Sequence, residues 1–171
     1  MGNPLPPNYG KTVTEPPPQT PSLLKLAQHP DPFLQAAIEE ARLNQSAGGL
    51  PIAALLIRNN QILTKGRDRR LQTSDPTAHA EIDCLKNAGR QSTYQDTILY
   101  STLAPSHLGL AAAVQFGIPK IIVGDTVNKA PLPAPTSIQI IDLHESQCIQ
   151  MLTNFIRAHP NPWTADMTQT R

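Results

Sequence analysis

Ala78-His79-Ala80-Glu81 sets an imidazole and a carboxylate two residues apart, and further along stands Leu103-Ala104-Pro105-Ser106-His107-Leu108-Gly109. An imidazole that is neutral near pH 7 and a carboxyl group held away from water can exchange protons with a bound ligand. Positioned groups of that kind are worth roughly 10² to 10⁴ in rate. Catalytic zinc normally needs three protein ligands around one open position. Here the second stretch offers a hydroxyl at Ser106, which ionises too weakly to replace a thiolate, and no side chain at Gly109. Cys84 and Cys148 are the only cysteines, and their spacing matches no zinc-ligand pattern. Cys84, five residues past His79 on one helix, faces elsewhere and is expected in the core. The chemistry left to these residues is proton transfer, with Glu81 as principal base, His79 as its partner and Ser106 as a hydrogen-bond donor.

Both stretches need helices to aim them. The pattern predicts a helix over 78–87, capped by Thr77 and closed by Gly89, and a second from Pro105 to Phe116 whose first N–H groups point at the same place. Strands are expected over 97–101, 120–123 and 138–141, and a last amphipathic helix over 145–158. Upstream, Asp31 can cap a helix that starts at Pro32 and carries Phe33, Ala36, Ile38 and Ala41 on one face. The apolar run 52–57 and the segment 62–64 flank Asn59-Asn60 as a hairpin, followed by a polar loop over 66–73. Strands alternating with helices after a hairpin imply an α/β three-layer sandwich.

Taken together, Pro51-Ile52-Ala53-Ala54, His79-Ala80-Glu81-Ile82, Leu85 to Arg90, Tyr94 to Leu103, Phe116-Gly117-Ile118-Pro119, Val123 to Asn128 and Phe155 to Pro160 resemble fungal cytosine deaminase. The resemblance runs from about Gly48 to Asp166, and it implies an α/β/α sandwich of the cytidine-deaminase type with a mixed sheet of about five strands. In zinc nucleobase deaminases the signature is H-x-E followed by P-C-x-x-C. Against it, His79 is the only zinc ligand retained, Glu81 falls on the proton-shuttling glutamate, and Ser106 and Gly109 stand where the two cysteines would. His107, one position past the first of these, is expected on the outside of its helix. The resemblance further places Ile52, Leu103, Trp163 and Asp166 around the pyrimidine ring, with Asp166 near its amino group. Asp68 corresponds to the loop asparagine that bonds the base, and Lys129 to the stacking aromatic. Glu81, Asp68 and Asp166 would then be three carboxylates in one apolar cavity, which raises carboxyl pKa values and favours a cationic ligand.

The resulting expectation is a protein with no catalytic zinc and no other cofactor. It would act as a metal-free acid/base enzyme on a small nitrogen-containing amine, imine or heterocyclic metabolite of fungal specialised metabolism. Two alternatives stand beside it: a non-catalytic subunit or regulator, and a zinc deaminase with an atypical ligand set. Pairing through the helices beside the site, implied by the same resemblance, makes a homodimer the expected state. At 171 residues with a net charge of +1, the chain is one ordinary domain with no general field for nucleic acid and no apolar run of membrane-spanning length. Lys65, Arg67, Arg69 and Arg70 are read as a solvated basic loop. Nine of the 18 prolines fall in the first 32 residues, so 1–30 is expected as a flexible arm, with a short helix over 22–28, ahead of a domain over 31–171. Two isolated thiols and no secretory leader suit the cytoplasm.

Overall fold

The computed structural model describes residues 30–128 and 137–161. Nearly all of the proline-rich arm, the expected helix over 22–28, and Lys129, Trp163 and Asp166 lie outside the described residues. Asp31 opens the fold: its carboxylate accepts the N–H groups of Phe33 and Leu34 at 2.9 and 3.0 Å, which satisfies two of the orphan donors at the head of α1 (Pro32–Ser46). Its second oxygen accepts the Tyr100 hydroxyl at 3.1 Å. The deepest face of α1 is Leu34, Ala37, Ile38 and Ala41; Phe33 and Ala36, expected on that face, pack half-buried at its edge.

β1 (Ala53–Arg58) and β2 (Gln61–Arg67) form the expected hairpin. Asn59 and Asn60 turn it with φ of 51° and 58°, the left-handed pair whose twist matches that of the strands. Strand β2 continues through Arg67, and a short helix α2 (Arg70–Thr73) replaces the rest of the expected loop. Gly66 is the reason: a Cβ there would overlap the backbone of Ala80 and Cys84, so its bareness lets β2 lie tight against the next helix. That helix, α3 (Ala80–Ala88), starts two residues later than expected, with His79 at its cap position and Gly89 closing it. Thr77 does not cap it, because its N–H and hydroxyl are both engaged by Asp75.

β3 (Thr97–Ser101) leads to α4 (His107–Phe116), which also starts two residues later than expected. Pro105 precedes its cap, Ser106, which accepts the Gly109 N–H at 3.2 Å. Then come β4 (Lys120–Val123), β5 (Gln139–Asp142) and α5 (Ser146–Ala158), the last capped by Glu145. The sheet order is β2-β1-β3-β4-β5, with β1 antiparallel to both neighbours and β3, β4 and β5 parallel. Strand alternation sends Leu55, Ile57, Tyr100 and Ile122 to the α1 side and Ala54, Leu56, Leu99, Ile121 and Val123 to the α3 and α4 side. The expected three-layer α/β/α arrangement with a mixed five-stranded sheet is therefore the observed one. Helix α5 joins both layers, Cys148 packing with α1 and Leu152 and Phe155 with the opposite cluster.

Candidate active site

The site is assembled where β3 ends and α3 and α4 begin. After Ser101 the chain stays buried through Ser106, held on one side by Thr102, whose N–H reaches the Ala53 carbonyl at 3.0 Å, and on the other by the Ala104 N–H on the Asp125 carbonyl at 2.8 Å. Opposite, Asp68 donates its N–H to the Ile52 carbonyl and Arg69 to that of Ala78, at 3.0 and 2.9 Å. These bonds tie the segment after β2 to the start of β1 and the entry of α3. Ile52 and Leu103 fall into one apolar cluster with Ala80, Cys84 and Leu110.

His79 Nδ1 lies 3.3 Å from Ser106 Oγ. That oxygen also accepts the Gly109 N–H, and in the tautomer that carries its proton on Nε2 the imidazole Nδ1 accepts the serine hydroxyl. Glu81 is only 3% exposed, and its Oε1 accepts the Ser101 hydroxyl at 3.2 Å. The rest of the carboxylate lies against Gly109, where a Cβ would stand 3.0 Å from both Cδ and Oε2. A side chain at position 109 would therefore press on Glu81, which would have to give by a few tenths of an ångström.

Asp68 departs from the expectation of uncompensated carboxylates. It is fully buried, and Arg70 grips it with Nε at 2.9 and 3.0 Å from its two oxygens and a terminal guanidinium nitrogen on Oδ2. A buried charge is tolerable when paired in this bidentate way, so the loop places its own countercharge two residues on. The solvated basic loop is corrected with it. Lys65 and Arg67 converge on buried Glu40 at 2.8 and 2.6 Å and Arg69 reaches Asp83 at 3.4 Å, although the Lys65 and Arg69 side chains stay about half exposed, at 47% and 46%. Ser101 was not singled out from the sequence. A strand-end serine signals a carboxylate partner only once the sheet and α3 are packed together.

Residues 28–125 match the family model of the cytidine and deoxycytidylate deaminase zinc-binding region. The chain belongs to this deaminase family. It is 30% identical over 140 residues to the cytosine deaminase of Candida albicans, a match covering 78% of this chain and 93% of that one. A tRNA-specific adenosine deaminase of Buchnera aphidicola is 35% identical over 95 residues, covering 54% and 59%. Among solved structures, guanine deaminase from Nitrosomonas europaea superposes with a TM-score of 0.61 over 87% of this chain and 98% of that one, at 16% identity. A tRNA deaminase acting at the wobble position superposes with 0.56 over 64% and 95%, at 24% identity. Both of these likenesses speak for the fold.

The zinc implied by membership in the deaminase family does not fit the side chains present. Among the described residues, no three His, Cys, Asp or Glu side chains converge to hold an ion. His79 Nδ1 faces a serine hydroxyl, and Glu81 packs against Gly109. Cys84 cannot substitute: burial first, then the Glu81 and Asp83 carboxylates, push its thiol far above the usual range, and its sulfur lies 3.7 Å from the Thr64 carbonyl. Cys148 belongs to the cluster on the α1 side, where burial pushes its pKa up to about 12. His107 is the exposed first residue of α4, as its helical position predicts.

Proposed function

We propose that this deaminase-family chain works without a catalytic zinc, as an acid/base catalyst on a small nitrogen-containing ligand, an amine, imine or heterocycle of specialised metabolism. The observation that carries this reading is the Ser106–His79 contact, with Glu81 packed against Gly109, because it uses the metal-binding positions for proton-exchanging groups. Glu81 is the base, held by Ser101; His79 is its partner; Ser106 is a donor at the head of α4. Ile52 and Leu103 are the apolar walls, and Trp163 and Asp166 are assigned to the same pocket from the family resemblance. The Asp68–Arg70 pair supports a non-catalytic second reading, since it withdraws a base-contacting loop position from use.

We infer a homodimer as well. Helix α4 carries no charged residue, and Leu108, Val114 and Phe116 are each at least 40% exposed on it. No helix among the described residues is long and apolar enough to cross a membrane, and two buried free thiols support a reducing, cytoplasmic setting.

Elemental analysis of protein purified without chelator, repeated after zinc is offered, tests the central claim. A value near zero in a folded dimer by sedimentation is expected, and one zinc per chain overturns it. Acetamidine titrated into the same protein should bind saturably, and E81Q should weaken that binding at least about tenfold, the loss of one charge-assisted hydrogen bond. Unchanged binding by E81Q removes Glu81 from the site.

A further inference from the structure

We propose that Ser106 is a nucleophile with His79 as its general base, so that the site accepts an acyl group from a small ester or lactam. This rests on the reading that His79 holds no zinc. A site without a metal-activated water lacks a strong nucleophile of its own. Ser106 supplies one.

Ser106 Oγ accepts from the Gly109 N–H at 3.2 Å and lies 3.3 Å from His79 Nδ1; with the imidazole proton on Nε2, this is the geometry in which a neighbouring base activates a hydroxyl. A serine serving only as a helix cap needs no imidazole on its other side. Its place before the ten-residue α4 adds a field that favours negative charge developing on oxygen. One helical turn on, the carboxylate of Glu81 lies against Gly109 and provides a second proton acceptor in the same buried space. Ile52 and Leu103, both buried in the adjoining cluster, suit a small apolar acyl chain.

The cycle balances with water as its one co-reactant. An Oγ–C bond forms as the carbonyl π pair moves to oxygen, and the hydroxyl proton passes to His79 Nδ1. Collapse of the adduct breaks the C–O bond of an ester, releasing the alcohol, or the C–N bond of a lactam, opening the ring to a tethered amine, and the departing oxygen or nitrogen takes that proton. Water then adds to the acyl-serine and gives its proton to Nδ1, and Oγ recovers the proton as the carboxylic acid departs.

The full chain treated with an alkyl fluorophosphonate, followed by intact mass and peptide mapping, tests this. One label per chain on Ser106 is expected, with fluoride lost. Ser106→Asn keeps a good cap but has no hydroxyl, so it should remain folded and unlabelled. His79→Gln should label about 100-fold more slowly. Absence of label in the wild type, label on another residue, equal labelling of the Asn variant, or wild-type speed in the Gln variant each overturns the proposal. Zinc measured on the same sample separates the two readings. A zinc-free, unlabelled chain sinks this inference alone, whereas a zinc-loaded, unlabelled chain sinks both.

Discussion

At Gly109 the absence of a side chain has a direct consequence for its neighbour. The Glu81 carboxylate stands in tight contact with the place a Cβ would take, 3.0 Å away by both Cδ and Oε2, while Ser101 holds its other oxygen. A methyl group added there must displace a buried, hydrogen-bonded carboxylate. Gly109→Ala should therefore destabilise the fold by about 1 to 3 kcal/mol, the usual range for overpacking, as read from the midpoint of a urea titration. A midpoint equal to that of the wild type would mean that Glu81 moves aside freely and is not held by Ser101. Residue-scale legibility was uneven. His79, Glu81 and Ser106 were visible from type and spacing, and the contacts that define their roles were not.

Among the elements, β2 and α3 are the pair on which the site depends, because α3 carries both His79 at its cap and Glu81 in its first turn. Their close approach runs through Gly66, whose Cβ would strike the backbone of Ala80 and Cys84 rather than a side chain that could rotate away. Gly66→Ala is expected to cost about 3 kcal/mol, at the upper end for overpacking, and to move α3 enough to weaken acetamidine binding as well. Normal stability by thermal unfolding would contradict that packing. The helix starts show what local signals reach. Asp31 capped α1 as read, because an Asx side chain and the proline after it act within three residues. Thr77 and Pro105 were misleading, since Asp75 captured the first and a buried connection carried the chain two residues past the second.

For the molecule as a whole, Glu40 joins α1 to the sheet edge through Lys65 and Arg67. Burial pushes its carboxyl upward, but the hydrogen bonds and charges of Lys65 and Arg67 outweigh it and hold the carboxyl below the usual value. A lowered native pKa stabilises above the unfolded value of about 4.3, and that contribution disappears as pH falls through the native one. E40Q should thus be less stable than the wild type near pH 7, with the gap closing toward pH 3. An equal gap at both pH values would show that the network contributes no charge-dependent stability. What the sequence determined by itself was the layered α/β/α class, the strand and helix series and the family, because periodicity and short motifs act over a few residues and are written directly in the chain. The tertiary structure alone decided that Ser106 faces His79, that Ser101 holds Glu81, that Arg70 neutralises Asp68, and that Glu81 packs against Gly109. The first, second and fourth of these join residues some 20 to 28 positions apart, from different strands and helices. The third is local in sequence, but burial is what turns a surface pair into a fixed one, and burial is a property of the packed layers.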